Sequence, residues 1–287
     1  MAHAENNKTE NLLAILRGLK KAAIAFSGGA DSTLLAAAAV KALGAEAIAV
    51  TADSPTLSAR ERADARELAA LLGIGHAFLP VSELECPDFV RNDGRRCYHC
   101  KKFRFEMLCR WAEKRGIPWV AEGSNADDLD DYRPGMEAVS EFQRVRSPLL
   151  EAGFTKAEIR ELSRDWGLPT WEKPAAACLA SRIAYGTPLT EEKLARVGKA
   201  EEILAPFCPP NRQLRVRDHG GIARIEAEPE VLPLLAAQGT AEIIAAALKE
   251  LGFSWVTLDL AGYRMGSLNE QLGPLKKPAG LKGRVQT

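Results

Sequence analysis

The stretch AIAFSGGADS (residues 23–32) joins an apolar run to a glycine turn, and a long helix rich in alanine and leucine follows it. Gly28 and Gly29 carry no side chain, so the backbone of this turn can approach a ligand closely. The N–H groups of such a turn and of the following helix start form a site for an anion. The turn has neither the Gly-Lys-Ser/Thr ending of a Walker A loop nor the spacing of a dinucleotide loop. Asp31 and Ser32 are alternatively simple helix caps.

Outward from this turn, apolar runs alternate with segments of helical periodicity. The alternation predicts an α/β fold in which helices cover both faces of a parallel sheet. Helices are predicted at residues 11–20, 57–73 and 103–116. Ser58 is a predicted N-cap and Gly73 a predicted helix stop. Ligands of such sheets bind at the carboxyl ends of the strands, so we expect three polar strand ends along one edge, at 27–32, 51–55 and 122–128.

The pattern changes after Gly186. Helical segments there alternate with two strands around a Gly-Gly turn and one later strand, which predicts a smaller C-terminal α+β domain. We therefore expect a first α/β domain at residues 1–186 and an α+β domain for substrate binding or oligomerisation at 187–272. A tail rich in proline, glycine and lysine, at 273–287, is expected to be mobile.

Composition narrows the class of protein. The chain has 287 residues, a formal net charge of zero and a pI near 6.9, which argues against a general electrostatic nucleic-acid binder but leaves a local basic patch open. No apolar run approaches the ~20 residues of a membrane span, and no signal-peptide pattern opens the chain. We expect a cytoplasmic protein, in which the six cysteines serve metal binding or catalysis rather than structural disulfides.

Two of the cysteines lie three residues apart in RRCYHCKK (residues 95–102). Cys97 and Cys100 are expected to precede a helix, and the helix start together with nearby Lys101, Lys102 and Arg104 is expected to lower their thiol pKa values. From the residues alone, the pair is a redox couple, half of a zinc site or part of an iron–sulfur site. A zinc site needs further ligands, and the sequence has no second Cys-x-x-Cys pair.

Cys178 stands apart from the other cysteines. Three alanines precede it in PAAACLASR (residues 174–182), so a ligand can come close, and Arg182 can hold an anion. A buried small thiol without a function is the alternative. Cys86, Cys109 and Cys208 are interpreted as a loop thiol, a helix core residue and a turn thiol.

The string SGGADS after the first strand resembles the PP-loop of the ATP pyrophosphatase family, whose domain is adenine nucleotide alpha hydrolase-like. The resemblance implies that ATP is split between its α and β phosphates, with Mg²⁺, and that a substrate oxygen is adenylated. It assigns pyrophosphate binding to the turn, with Asp31 also helping to place Mg²⁺. The residues so implied are Ser27, Gly28, Gly29, Asp31 and Ser32.

Two further segments complete the implied nucleotide site. The main chain near Ala52 and Asp53 would contact the adenosine. Gly123 would permit close approach to the nucleotide, and Asn125 and Asp128 are candidate polar contacts near the phosphates or the metal.

The remaining motifs are similar to those of the LarE family of sulfur transferases, which make a nickel-pincer cofactor, and the similarity runs from about residue 10 to 272. They are GSNADDLDDYRPG (123–135), PAAACLASRIAYG (174–186), LRVRDHGGIARIE (214–226) and LDLAGYRMGSLN (258–269). The resemblance implies adenylation of a carboxylate of pyridinium-3,5-dicarboxylate mononucleotide and displacement of AMP by sulfur, which gives a thiocarboxylate.

The family has two versions of the sulfur chemistry. In one, a single cysteine at the place of Cys178 gives up its own sulfur. In the other, three cysteines hold a 4Fe–4S cluster whose fourth iron carries the transferable sulfide, and this chain matches that version through Cys97, Cys100 and Cys178. The implied catalytic set comprises these cysteines with Asp31 and Arg182.

A substrate with two carboxylates and a phosphate requires converging arginines. Arg215 and Arg217 alternate on one strand and share a face, Arg182 neighbours Cys178, and Glu226 is expected to orient the arginines. A solvated strand face is the alternative for the pair Arg215 and Arg217.

The implied partners are a small nucleotide-like substrate, a sulfide donor and further copies of the chain in a homo-oligomer, without a membrane and without nucleic acid. A tRNA thiolase, a regulator that only senses ATP and an amidating synthase are the competing functions.

Overall fold

The computed structural model describes residues 2–129, 134–174, 177–209, 212–264 and 266–267. The predicted tail at 273–287 lies outside the described residues, as do residues 268–272 of the predicted second domain. Within the described part, no helix is both long and apolar enough to cross a membrane.

A parallel sheet of five strands forms the centre of the N-terminal part, in the order β3-β2-β1-β4-β5. The strands are β1 (Ala22–Ala25), β2 (Ala47–Asp53), β3 (Gly75–Pro80), β4 (Trp119–Ala121) and β5 (Val145–Arg146). The central strand β1 pairs with β2 on one side and with β4 on the other, all parallel. The chain order therefore reverses between β1 and β4, and the carboxyl ends of these two strands are where sheets of this kind bind their ligands. The predicted α/β class with a parallel sheet is confirmed.

Eight helices accompany this sheet in the described residues. They are α1 (Ala2–Leu19), α2 (Ala30–Leu43), α3 (Ala59–Leu72), α4 (Pro87–Val90), α5 (Arg96–Glu113), α6 (Pro134–Ser140), α7 (Pro148–Glu151) and α8 (Lys156–Asp165). Small residues allow the close packing at the centre: Ala36 and Ala38 of α2 are fully buried, as are Ala22 and Ala23 of β1. This packing fixes where the turn between β1 and α2 emerges from the sheet.

The predicted boundaries of α3 are confirmed, but those of α5 are wrong. Ser58 and Glu61 form a reciprocal capping box at the start of α3, and Gly73 ends the helix at φ 65°. Helix α5 starts at Arg96, so Cys97 and Cys100 lie within its first turns rather than before it. The basic and polar residues of these turns carry no apolar stripe, so the periodicity of the sequence did not reveal them as helical. Helix α1 likewise starts earlier than predicted, for the same reason.

A second sheet of three strands, in the order β6-β7-β8, forms the C-terminal part. Strands β6 (Leu214–Asp218) and β7 (Ile222–Ala227) form the predicted antiparallel hairpin, and β8 (Trp255–Leu258) adds in parallel to β7. The hairpin turns at Gly220 and Gly221, whose φ values of 65° and 97° are open to glycine without strain. Helices α9 (Glu191–Leu204), α10 (Leu232–Ala236) and α11 (Gln238–Glu250) accompany this sheet. The predicted α+β character is confirmed.

The hydrophobic core of the second sheet reaches back into the N-terminal part. Phe89 of α4, together with Leu179 and Ile183, is buried in the same cluster as Val216 and Ile225 of the hairpin. The two parts of the chain thus share one packed seam. The boundary at residues 186/187 stays a prediction, because this core contains residues from both sides of it.

Phe89 provides a test of this seam. Phe89 is 1% exposed, and Phe89→Ala is expected to lower the free energy of unfolding by about 3–5 kcal/mol, because a large buried ring leaves a cavity. Urea unfolding measures the change. Leu71→Ala is the matched control: Leu71 is 66% exposed, so its loss is expected to stay within ~0.5 kcal/mol. Equal stability of the two variants would show that the seam contributes nothing.

Candidate active site

Hydrogen bonds of Ser27 and Ser32 hold the turn between β1 and α2 in its conformation. The Ser32 hydroxyl donates to the Gly29 carbonyl at 3.2 Å and accepts from the Ser27 N–H at 3.3 Å. Gly28 takes φ +69°, which a side chain would strain. Gly29 is the N-cap of α2 and supplies no side-chain cap, so the first N–H groups of this 14-residue helix remain free of a capping side chain. The start of α2 therefore offers N–H donors to an anion.

Gly123 at the end of β4 packs directly on this turn. A Cβ at Gly123 would lie 3.3 Å from both Asp31 Cβ and Ser32 N. Its lack of a side chain therefore lets the start of α2 approach β4, and a contact of Gly123 with nucleotide stays a prediction. Asn125 and Asp128 are buried close by, where the Asn125 N–H donates to the Asp128 carboxylate at 3.0 Å. Their predicted contacts to phosphate or metal likewise remain predictions.

Two lysines that the sequence analysis missed reach the turn from far along the chain. Lys156 at the start of α8 places Nζ 2.5 Å and 2.6 Å from the two carboxylate oxygens of Asp31. Lys173 Nζ donates to the Gly28 carbonyl at 3.1 Å and to Asp64 at 2.7 Å. These lysines stand 125 and 145 positions from their partners in the turn, so no local pattern could have revealed them. They add positive charge where phosphates are expected.

The end of β2 borders the same edge of the sheet. Ala52 pairs with Leu79 of β3, and the Asp53 carboxylate forms an ion pair with Arg62 of α3. Farther along, the Thr56 carbonyl accepts a hydrogen bond from the Leu179 N–H at 3.0 Å. The strand end predicted to contact adenosine is thereby joined to the segment that carries Cys178.

The structure brings Cys97, Cys100 and Cys178 together. Cys97 and Cys100 are three residues apart on α5 and share a face, while Cys178 is the N-cap of a short 3₁₀ helix, Leu179–Arg182. Burial raises the pKa of both Cys97 and Cys100, and the neighbouring Cys178 thiol raises each of them further. Cys100 and Cys178 also pack against the same hydrophobic cluster, although about 80 residues separate Cys178 from the pair.

The predicted lowering of the two thiol pKa values is wrong. Burial raises the pKa of Cys100 to about 12 and outweighs the opposing charge of Arg104. For Cys97 burial again raises the pKa, and the Arg96 guanidinium opposes it. Cys97 is nevertheless exposed to solvent whereas Cys100 is half-buried, so the environment resists ionisation more strongly at Cys100. Without a bound metal, both thiols are thus held in the protonated form.

Among the described residues, no group of three or more His, Cys, Asp or Glu side chains is arranged to hold a metal ion. A single ion bound by thiolates draws its sulfurs to within about 4 Å of one another, given metal–sulfur bonds of ~2.3 Å. A cluster of several irons binds each thiolate at a different iron and so suits a wider spacing. The donor chemistry of three converging cysteines fits such a cluster.

An ion pair between a buried carboxylate and a partly exposed arginine, also not predicted from the sequence, lies beside Cys100. Glu83 is fully buried and accepts from Arg104 Nε and from the Ser54 hydroxyl, while Arg104 also donates to Thr56 Oγ1 at 2.6 Å. Burial alone would lower the pKa of Arg104, but Cys100 and Glu83 together hold it above its usual value. The pair connects the loop after β2 to the cysteine site.

Arg182 is buried, and all three guanidinium nitrogens donate hydrogen bonds. It forms a two-pronged contact with Glu201 of α9, at 2.8 Å and 3.0 Å, and it donates to the Cys178 carbonyl at 3.2 Å. Burial opposes its charge, yet the Glu201 carboxylate keeps the pKa of Arg182 raised. In the described structure Arg182 therefore orders the Cys178 segment, and its predicted contact with a substrate anion remains a prediction.

The predicted arginines of β6 lie next to the same segment. Arg217 is buried, forms an ion pair with Glu226 at 2.8 Å and donates to the Ser181 carbonyl at 2.6 Å. Glu226, fully buried, also accepts from Arg224. Arg215 is only half-buried and donates to Gln213 Oε1 at 2.6 Å, and burial followed by the charge of Arg182 lowers its pKa. Arg215 is therefore the more accessible of the two predicted substrate arginines.

No protein-family model matches the chain. It is 42% identical over 266 residues to an uncharacterized protein of Synechocystis, covering 93% of this chain and 98% of that protein. It is 37% identical over 267 residues to the pyridinium-3,5-bisthiocarboxylic acid mononucleotide synthase of Lactiplantibacillus plantarum, covering 92% of this chain and 95% of that enzyme. A tRNA-specific 2-thiouridylase of Desulforamulus reducens is 26% identical over 54% of this chain and 53% of its own length.

Gly28→Ala tests the turn. The substitution forces a side chain into positive φ and against Leu68 Cδ1 at 3.4 Å, so we expect ATP affinity to fall at least about tenfold, with a stability loss of roughly 1–2 kcal/mol. Isothermal titration calorimetry measures the affinity. Gly73→Ala is the control, because Gly73 has φ +65° and open space but lies outside the turn. An ATP affinity that falls equally in both variants would refute the assignment.

Proposed function

The chain belongs to the LarE family of ATP-dependent sulfur transferases, and from this we propose that it adenylates a carboxylate of pyridinium-3,5-dicarboxylate mononucleotide and replaces AMP with sulfur. The observation that supports the proposal is that the Cys178 thiol acts on the Cys97 and Cys100 thiols while the next residue, Leu179, is hydrogen-bonded to Thr56 after β2. The product is a thiocarboxylate, and conversion of both carboxylates gives the compound named in the Lactiplantibacillus relative.

In the adenylation step, a substrate carboxylate oxygen attacks the α-phosphorus of ATP. The bond from that phosphorus to the bridging oxygen breaks, and pyrophosphate leaves with the electron pair. This step requires stabilisation of phosphate charge, which the N–H groups of the turn and the ammonium groups of Lys156 and Lys173 supply. ATP binding by the PP-loop is supported by the family and by the more distant thiouridylases.

Mg²⁺ is proposed to bind at Asp31. A hard cation prefers carboxylate and phosphate oxygens, and the Asp31 carboxylate already accommodates a cation, the ammonium of Lys156. With Mg²⁺ present, Lys156 would be free to turn from Asp31 toward the departing pyrophosphate. The negative charge of Asp31 is thus neutralised by Lys156 when Mg²⁺ is absent and by Mg²⁺ when it is bound.

We further propose that Cys97, Cys100 and Cys178 hold a 4Fe–4S cluster. When bound, such a cluster leaves one iron without a cysteine ligand and supplies a site for the sulfide that is transferred. Thiolate ligation also overcomes the burial that raises the pKa of the Cys97 and Cys100 thiols, because a coordinating thiol is deprotonated outright. The contribution of this chain is to place the three sulfurs at the mouth of the nucleotide site, where the acyl adenylate forms.

In the second step, a sulfur nucleophile attacks the acyl carbon of the adenylate. The bond from that carbon to the AMP oxygen breaks, and AMP leaves with the electron pair. Arg182 fixes the Cys178 segment for this step through Glu201 and the Cys178 carbonyl. Because AMP is a far better leaving group than the original carboxylate oxygen, adenylation makes the substitution feasible.

The phosphate and carboxylates of the substrate are assigned to Arg215 and Arg217, which the predicted C-terminal domain would contribute. Glu226 orients Arg217 through its ion pair, while Arg215 has its accessible face available to an anion. Cytoplasmic location, assembly into a homo-oligomer and the nature of the sulfide donor remain predictions.

A tRNA thiolase is the competing function. The thiouridylases share about half of the chain and support only the ATP-binding part. The zero net charge gives no general attraction for RNA, which carries one negative charge per nucleotide. The synthase, in contrast, aligns with 92% of this chain.

The number of sulfurs transferred per chain shows whether the sulfur comes from sulfide held on a cluster or from Cys178 itself. Protein prepared without oxygen and supplied with ATP, substrate and sulfide is expected to release pyrophosphate and to form more than one thiocarboxylate per chain. Intact-protein mass spectrometry should find Cys178 unchanged after the reaction. A reaction that stops at about one sulfur per chain, with Cys178 converted to dehydroalanine, would contradict the cluster and favour the sacrificial version.

Arg215→Ala tests the substrate site. Loss of a charged contact to an anion is expected to raise the KM for the pyridinium substrate at least about tenfold, while the KM for ATP stays within about twofold. Arg212→Ala is the matched control, since Arg212 pairs with Glu228 and Glu230 at the surface. Steady-state kinetics with each substrate varied in turn measures both constants. Equal effects on the two KM values would remove Arg215 from the substrate site.

A further inference from the structure

We propose that Asn92 and Arg96 are positioning residues that hold the Cys178 segment against the first turns of α5, so that the three thiols meet before any cluster is bound. The inference rests on the proposed function and deepens it. Neither Asn92 nor Arg96 is among the residues to which the family resemblance assigns a role. Arg96 directly precedes Cys97, Asn92 lies four residues before Arg96, and both side chains contact the segment that follows Cys178.

Arg96 is a buried cation at the seam between the two parts of the chain. It is 4% exposed, and its NH1 nitrogen donates to Asn92 Oδ1 at 2.5 Å and to the Ala180 carbonyl at 2.9 Å. Its guanidinium also lies over the Tyr185 ring, 4.9 Å from the centroid. Arg96 therefore contacts the segment after Cys178 at two places, while its own backbone belongs to the helix that carries Cys97 and Cys100.

Asn92 extends the contact along the same segment. It is fully buried, and its side-chain amide donates to the carbonyls of Ala184 and Thr187, both at 2.9 Å. Its own carbonyl accepts from the Gly186 N–H at 3.0 Å. Asn92 has φ 55°, a conformation that few residues other than glycine and asparagine adopt readily. An asparagine here both tolerates the backbone and provides the amide.

Together these contacts bind carbonyls in and after the short 3₁₀ helix Leu179–Arg182. The segment is also tied elsewhere, by Leu179 to Thr56 and by Arg217 to Ser181. Those ties fix it to the nucleotide edge and to the second sheet, but the contacts of Asn92 and Arg96 fix it to α5. Loss of these contacts should therefore change the distance between Cys178 and the α5 thiols more than it changes the ATP site.

The test uses the full chain, reduced and free of iron, with a short bis-maleimide as the thiol crosslinker. Mass spectrometry of the digest gives the yield of Cys178 joined to Cys97 or Cys100. Asn92→Gly keeps the positive φ and removes the amide, and Arg96→Lys keeps the charge and removes the guanidinium whose NH1 nitrogen makes both hydrogen bonds. We expect both to lower the yield about tenfold, since each loses buried hydrogen bonds to the segment, while Arg95→Lys, at the exposed neighbouring position, stays at the unsubstituted level.

ATP affinity and thermal unfolding, measured on the same samples, separate positioning from folding. Positioning predicts a lowered crosslink yield with ATP affinity retained. Lowered thermal stability with an unchanged crosslink yield in both variants would overturn the proposal, and so would the absence of this crosslink from the unsubstituted chain. Because the assay contains no iron, a chain that crosslinks as expected but takes up no iron would contradict the proposed cluster and leave this inference standing.

Discussion

Buried guanidinium groups that donate to backbone carbonyls hold the segment that carries Cys178. Apart from the short 3₁₀ helix Leu179–Arg182, this segment has no regular structure, and its buried carbonyls need hydrogen-bond donors. Arg96 binds the Ala180 carbonyl, Arg182 binds the Cys178 carbonyl and Arg217 binds the Ser181 carbonyl. The three arginines come from three different elements, so the position of Cys178 depends on how the whole molecule is assembled. Arginine suits this task because its planar fork offers several donors in fixed directions.

The positive charge of these arginines is a second constraint on the fold, because it must be compensated inside the protein. A buried guanidinium is costly unless it is paired and fully hydrogen-bonded. Glu201 and Glu226 pair with Arg182 and Arg217, whereas Arg96 donates to the Asn92 side-chain oxygen and the Ala180 carbonyl and lies over the Tyr185 ring. Beside Cys100, Glu83 pairs with the partly exposed Arg104. The site therefore combines buried ion pairs with thiols that burial keeps protonated. Positive charge next to the thiols would favour the thiolate state once a metal binds.

The sequence predicted the parts of this account that depend on local pattern. The glycine turn after the first strand, the N-cap of α3 at Ser58 and the hairpin at Gly220 each have a short-range signature. The start of α5 was placed too late because its first turns have no apolar stripe. The sequence did not predict the roles of Lys156, Glu83 and Arg96, because these roles arise only from contacts between residues far apart in the chain. The rise in the Cys100 pKa escaped for the same reason, since burial is a tertiary property.

The central claim is that three cysteines from two separated segments form one iron–sulfur site. Iron and acid-labile sulfide, measured on protein purified and reconstituted without oxygen, test it most directly. The account predicts about four irons and four sulfides per chain, lost in Cys97→Ala and retained in Cys109→Ala, whose thiol lies on the same helix but outside the site. An iron-free chain, or equal iron in the two variants, would contradict it.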